Sequence, residues 1–403
     1  MDVKNAFLHG DLEEDVYMRI PPGHGREKEQ GMMCKLYKAL YGLKQSPRAW
    51  YSKLSSVLIA SGFKRSYADS SLFVRTGKVG RLIVLVYVDD LIITGDNMDE
   101  IQSLKSTLHE TFSIKDLGSL RYFLGIEMDH SPKGLFLNQR KYIVHLLHEV
   151  GMTDSKPAHT PLKSNLKLNF EGEPLSDISM YQRLVGKLIY LTITRPDITY
   201  AVSLVSQFMY SPTSLHLIIV KRILRYLKGT VTKGILMRNN GHFKLEEFSD
   251  SDWAGNAIDR KSTTGFCTFI GRNLVTWKSK KQTVVARFSA EAEYRAMAST
   301  TCELIWLKTL LGDLGISCNV PISLHCDNQA TMHIAANPVF HERTKHIEVD
   351  CHFFRNQVQS KLLETVYTKS CDQLVDIFTK ILPSAQFERL LFKFGSSNSL
   401  DPA

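Results

Sequence analysis

Residues 85–93, LeuValTyrValAspAspLeuIleIle, hold two adjacent carboxylates inside an otherwise apolar, β-branched run. Runs of this composition read as buried strands. Two ionised carboxylates repel by about 4 kcal/mol at roughly 4 Å and an effective dielectric near 20, so Asp89 and Asp90 need a solvent-facing turn or a nearby cation. A strand–turn–strand with a metal at its tip supplies both. Strand side chains alternate between faces, so one of the two can meet a further carboxylate from elsewhere in the chain. An ordinary Asp-Asp turn between two strands is the alternative for this segment alone.

Residues 41–51, TyrGlyLeuLysGlnSerProArgAlaTrpTyr, combine a turn signal with a basic segment; Trp50, Leu54 and Leu58 then follow at helical spacing. Gly42 permits close backbone approach, and Lys44 and Arg48 can meet phosphates. A solvated basic loop ahead of a structural helix is the alternative.

TyrValAspAsp at 87–90 resembles the metal-binding hairpin of reverse transcriptases. AspValLysAsnAlaPheLeuHisGly at 2–10, together with residues 41–51, is similar to the polymerase of copia-type long-terminal-repeat retrotransposons. The resemblance implies that Asp2, Asp89 and Asp90 hold two catalytic ions, and that Phe7 lies under the nucleotide sugar and excludes a 2′-hydroxyl. It also implies that the loop at 41–48 lies under template and nucleotide. Core packing is the other reading of Phe7. In that family a fingers region precedes these motifs, so the expectation is an N-terminally truncated palm.

At 403 residues, with 43% hydrophobic and 23% charged residues, the chain has room for two or three domains with real cores. A net charge of +9 suits a polyanionic partner such as nucleic acid. Seven scattered cysteines without a CxxC pair suggest reduced thiols. With no signal pattern and no membrane-length apolar run, the expected setting is intracellular, without a membrane partner. For the family this means cytoplasmic virus-like particles, with entry to the nucleus.

Residues 99–112 read as a helix with Ile101, Leu104, Leu108 and Phe112 on one face, and the ProAlaHisThrPro segment at 157–161 marks a connector. This sets expected regions of 1–155 for the palm remainder and 156–235 for a helical thumb or connection. Between 177 and 230 the pattern is helical. In its last helix Lys221, Arg222, Arg225 and Lys228 recur at three- and four-residue steps, with Lys221 and Arg225 as candidate backbone contacts. A solvated surface helix is the alternative.

From about 236 the period becomes strand-like. Three short strands, a long helix, a strand ending in Asp327, and a final strand and helix carrying Asp376 give a mixed α/β order over 236–385, with 386–403 as a tail. Glu293 stands one turn before Met297, on the core side of the long helix, which is unusual for a carboxylate. This order resembles the ribonuclease H fold, and SerAspTrpAlaGly, SerAlaGluAlaGluTyr and CysAspAsnGln look like its copia-type version. The resemblance implies a four-carboxylate site of Asp250, Glu293, Asp327 and Asp376. Hard oxygen ligands suit two Mg²⁺ ions, with Mn²⁺ as a substitute. Residues 341–346, HisGluArgThrLysHis, fit no zinc-finger spacing; Arg343 and Lys345 are better read as phosphate contacts.

The expectation is a multidomain α+β and α/β chain: a partial reverse-transcriptase palm, a helical thumb or connection, and a ribonuclease H-like domain. The implied functions are templated DNA synthesis and metal-dependent cleavage of RNA in RNA–DNA hybrids. The implied partners are RNA template, primer, hybrid, dNTPs and other Pol or Gag products. A catalytically silent nucleic-acid-binding relic, or a remnant that pairs with a complete polymerase, is the alternative.

Overall fold

The computed structural model describes residues 1–26, 31–77, 80–164, 166, 172–318, 320–336 and 348–398. The chain divides into two compact units, Met1–Leu120 with Leu307–Ser317, and Arg121–Trp306 with Cys318–Ala403.

The first unit contains β1 (Asp2–Val3), β2 (Asp11–Arg19), β3 (Met33–Lys38), α1 (Ser46–Ala60), β4 (Lys64–Arg65), β5 (Leu72–Thr76), β6 (Arg81–Tyr87), β7 (Asp90–Gly95), α2 (Met98–Thr111) and β8 (Ile114–Lys115). Six of the strands form one sheet in the order β4-β5-β6-β7-β1-β8, while β2 and β3 form a separate hairpin. Along β6 every second residue is buried, and Leu82, Val84 and Val86 face the core. Trp50, Leu54 and Leu58 recur every four residues along α1 and are buried against that core. Each such side chain contributes about 1.5–3 kcal/mol on burial, which is what holds a helix this short in place. α2 begins where the Asn97 side chain accepts hydrogen bonds from the backbone N–H groups of Asp99 and Glu100. Its buried face is Ile101, Leu104 and Leu108, as the periodicity indicates.

The second unit continues with β9 (Tyr122–Phe123), β10 (Ile126–Ser131), β11 (Gly134–Asn138), α3 (Arg140–Glu149), α4 (Ile178–Leu191), α5 (Thr199–Ser206), α6 (Ser214–Gly229) and β12 (Lys233–Met237). Then come β13 (Leu245–Asp252), β14 (Thr263–Ile270), β15 (Asn273–Lys281), α7 (Ser289–Asp313, whose residues from Leu307 onward count with the first unit), β16 (Ile322–Cys326), α8 (Gln329–Ala336), α9 (Glu348–Gln359), β17 (Leu363–Tyr367), α10 (Asp376–Thr379), α11 (Ser384–Lys393) and β18 (Ser396–Asn398). One sheet has the order β18-β12-β11-β10-β9 and the other β15-β14-β13-β16-β17. In the latter β13, β16 and β17 run parallel, and β14 and β15 are antiparallel additions.

Both expected boundaries, at 155 and at 235, fall inside this one unit. The reason is packing: β12 pairs with β11, and a single core joins Ile143 and Leu188 to Ile223, Cys267 and Phe378. The expected tail also carries regular structure. Phe387, Leu390 and Leu391 form an apolar stripe that buries α11, and β18 pairs with β12. A buried ion pair, Arg195 Nη2 to Asp197 Oδ2 at 2.6 Å, is closed by the Tyr226 hydroxyl donating to Asp197 Oδ2. Removing either charged partner would strand the other in the core. No described helix is long and apolar enough to cross a membrane.

Candidate metal centres

In the second unit the chain brings Asp250, Glu293 and Asp327 together: one carboxylate oxygen from each lies within 4.8 Å of the other two. They come from β13, from α7 and from the turn after β16, so no local sequence pattern alone assembles them. Asp250 and Glu293 are buried and Asp327 is half-buried. The Ser251 N–H points at Glu293 Oε1 at 3.4 Å, whereas Glu293 Oε2 is buried with no hydrogen-bond partner. Burial, reinforced by the charges of Asp250 and Asp327, pushes the Glu293 carboxyl well above its usual range. Burial also raises Asp250, against the pull of Lys380 and Thr379.

Asp376 is brought to the same neighbourhood but outside the three-acid group. Its Oδ1 accepts from Lys380 Nζ at 2.5 Å, and the same ammonium stands 3.4 Å from Asp250 Oδ2. Burial lifts the Asp376 carboxyl to about 6 despite that partner. The Thr379 hydroxyl donates to Asp250 Oδ2. Thr379 and Lys380 went unread in the sequence, although they follow Asp376 by three and four residues, the helical spacing that puts them beside it.

Two further positioning residues depend on register. Gly265 is the β14 partner of Asp250, and a Cβ there would lie 2.6 Å from Thr379 Cγ2 and 2.7 Å from Val375 Cγ1. Only glycine lets α10 approach β14 beside Asp250. Gln282 Nε2 meets Ser251 Oγ at 3.3 Å, Thr264 Oγ1 at 3.1 Å and the Ala292 carbonyl at 2.9 Å, tying two strands to the residue before Glu293.

The donor set fits a hard divalent cation. Three carboxylates converge, one buried oxygen lacks a partner, and the cleft of about 470 Å³ that they line also holds Asn328, Tyr367 and Lys380.

In the first unit β1 and β7 are antiparallel partners with Asp2 opposite Asp90, and Val3 N–H donates to the Asp89 carbonyl at 2.8 Å. Asp89 lies in the turn between β6 and β7, next to Val88 at φ 53°. A β-branched residue in that region is strained. The indole of buried Trp50 donates to the Val88 carbonyl at 2.6 Å and holds the turn in place. Trp50 read as a core residue in the sequence, and this donor was missed. Burial, then the charges of Asp89 and Asp2, raise the Asp90 carboxyl. Among the described residues only Asp250, Glu293 and Asp327 converge as a group of three ligands, so Asp2, Asp89 and Asp90 adjoin through their backbones without that side-chain convergence.

Phe7 is half-buried, its ring 4.8 Å from that of Tyr41. Gly42 has φ 94° with nothing within 4 Å of a Cβ, so its backbone conformation, rather than a close approach, calls for glycine. Lys44 and Arg48 are exposed. Along α6 the basic residues divide: Lys221 is exposed and Arg225 half-buried, while Arg222 donates to Thr160 Oγ1 and Lys228 to the Ser155 carbonyl. The face that looked like one basic track is thus partly committed to packing. Arg343 and Lys345 lie outside the described residues.

A family profile described as reverse transcriptase (RNA-dependent DNA polymerase) matches residues 1–164. Over 396 residues, 98% of this chain, the chain is 46% identical to a retrovirus-related Pol polyprotein from transposon RE1 of Arabidopsis thaliana; it spans 27% of that relative. It is 34% identical over 308 residues to the putative transposon Ty5-1 protein of Saccharomyces cerevisiae, covering 75% of this chain and 100% of that protein. A crystal structure of LC11-RNase H1 in complex with RNA/DNA hybrid overlaps 34% of this chain and 93% of its own at 11% identity and a TM-score of 0.27, which is too loose to argue from. The family assignment rests on the sequence relatives: the chain belongs to the copia-type retrotransposon Pol family.

Proposed function

We propose that the second unit is a metal-dependent ribonuclease that cuts the RNA strand of an RNA–DNA hybrid, and that the first unit carries the palm of a template-directed DNA polymerase. The observation that carries the nuclease reading is the convergence of Asp250, Glu293 and Asp327 from three separate elements. Asp250, Glu293, Asp327 and Asp376 would hold divalent cations, Mg²⁺ or Mn²⁺. When bound, such a pair supplies an attacking hydroxide and stabilises the leaving oxygen.

The chain's own residues do the rest. Thr379 and Lys380 orient Asp250, and Lys380 offsets the repulsion between Asp250 and Asp376. The Ser251 N–H and the ties made by Gln282 fix β13 and β14 against α7 beside Glu293. Backbone shape and 2′-hydroxyls, rather than base sequence, select the substrate.

For the first unit, Asp2, Asp89 and Asp90 would hold divalent ions once their side chains converge, and such ions, when bound, would promote attack of a primer 3′-hydroxyl on a dNTP α-phosphate with pyrophosphate leaving. Phe7 and Gly42 would border the nucleotide, and Lys44 and Arg48 the template backbone. Lys221 and Arg225 of α6 are offered as backbone contacts on the same electrostatic ground.

Hybrid cleavage and primer extension measured separately on this chain test the reading. Mg²⁺-dependent cleavage of a labelled RNA–DNA duplex that disappears with Asp250→Asn supports the nuclease assignment. Hybrid binding without cleavage supports a silent relic instead.

A further inference from the structure

Three of the last four residues of β15 are lysines, Lys278, Lys280 and Lys281. In the β14–β15 ladder Lys278 pairs with Phe266 and Lys280 with Thr264, and in the β13–β14 ladder Thr264 pairs with Ser251. Directly opposed residues share a sheet face, so Lys278 and Lys280 stand on the face that Gln282 ties to α7.

A cavity of about 200 Å³ opens there, bordered by these lysines, Thr264, Gln282 and Arg295, with Asp350 as its one carboxylate. Lys281 is committed to Asp259 at 2.8 Å, and Arg295 pairs with Glu291 at 2.9 Å. Lys278 and Lys280 are exposed, and among the described residues neither has a carboxylate within ion-pair distance. The Lys278 ammonium lies over the Phe266 ring at 5.9 Å. Same-face side chains two residues apart on a strand are roughly 6.5–7 Å apart, a separation that suits neighbouring phosphates on one nucleic-acid strand.

The cavity adjoins the acid cleft. Ser251 lines that cleft and is hydrogen-bonded to Gln282, which lines the cavity. Asp250, Gly265 and Ser279 are consecutive partners across three strands and share the opposite face, so the lysines flanking Ser279 stand roughly 10 Å from the Asp250 strand, on the α7 side from which Glu293 reaches the cleft.

We propose that this cavity binds a backbone phosphate of the nucleic acid whose scissile phosphate occupies the acid cleft, with Lys278 and Lys280 supplying the charge. The inference rests on the nuclease reading above and adds to it a sequence-independent anchor beside the cut. Lysine suits this task as a point-charge phosphate donor.

The test is fluorescence anisotropy of a labelled RNA–DNA hybrid without divalent metal, across a salt series, on the full chain, Lys278→Gln/Lys280→Gln and Lys278→Arg/Lys280→Arg. Circular-dichroism melts check that each variant folds. The glutamine pair is expected to weaken binding about tenfold and to reduce the slope of log affinity against log salt by about 2, and the arginine pair to restore both. Unchanged affinity and slope in the glutamine pair, with a wild-type chain that binds and cleaves, overturn the phosphate site alone. Lysine-dependent binding by a chain that does not cleave overturns the nuclease reading and leaves the site standing. A wild-type chain that does not bind the hybrid overturns both.

Discussion

The two acidic sites are built by opposite strategies. At the β6–β7 hairpin the acids are close in sequence or in neighbouring strands, half-buried, and positioned through the backbone: Asp2 is in register with Asp90, and Trp50 holds the strained turn at Val88. In the second unit Asp250, Glu293 and Asp327 are separated by tens of residues, the first two buried and the third half-buried, and gathered only by tertiary structure. The difference is electrostatic. A hairpin tip tolerates adjacent carboxylates because solvent screens them, whereas a group of three with two members buried needs Lys380, Thr379 and, under the proposal, divalent ions to offset its repulsion.

The strongest way to break this comparison is to exchange the defects. Glu293→Gln or Asp327→Asn is expected to reduce hybrid cleavage by about 10³-fold, the several kcal/mol that metal-held charge stabilisation supplies, and to leave primer extension unchanged. Asp89→Asn is expected to do the reverse. Gel assays of both reactions on each variant decide it, and loss of both activities in every variant would mean that the sites are not independent.

Gly265→Ala sharpens the account of the second site. The added Cβ displaces α10, so cleavage should fall roughly 10–100-fold, as for loss of an outer positioning contact, and stability by about 1–3 kcal/mol. Steady-state rates and urea midpoints measure the two effects. Trp50→Phe does the same for the hairpin: it keeps an aromatic side chain, though a smaller one, and removes the donor to the Val88 carbonyl, at an expected cost of about 1–3 kcal/mol, read by urea titration. Cleavage should not change.

The smallest effect concerns the cost of burying acids. Glu247 is fully buried on β13 with neither oxygen hydrogen-bonded, and burial, with the Glu303 charge adding to it, pushes its carboxyl well above the usual range. The folded chain therefore holds a proton that the unfolded chain has lost, so this residue costs stability as pH rises above its unfolded value. Glu247→Gln should raise the melting temperature, by more at about pH 8 than at about pH 6. An equal shift at both would show that the carboxyl is not protonated in the fold.

The same contrast governs what could be read in advance. The hairpin at 87–90 is legible because an apolar run interrupted by two acids has few solutions, and α2 and β14 follow from local periodicity. The strand and helix order around Asp250, Glu293 and Asp327 is legible too, and the family resemblance named the acids. Gly265, Gln282 and the lysines of β15 were not legible, because their roles depend on which residue lies opposite in the neighbouring strand. The core that joins Ile143 to Cys267 and Phe378 was hidden for the same reason. The pairing of β11 with β12 spans about a hundred residues, and no local pattern reports it.

The account depends on acids from three elements sharing the same ions. Manganese binding followed by electron paramagnetic resonance on the wild-type chain, Asp250→Asn, Glu293→Gln and the double variant tests this most directly. The expected result is that each single substitution removes the same bound Mn²⁺ and that the double variant removes no more. Losses that add, or bound Mn²⁺ that is indifferent to both substitutions, would contradict it.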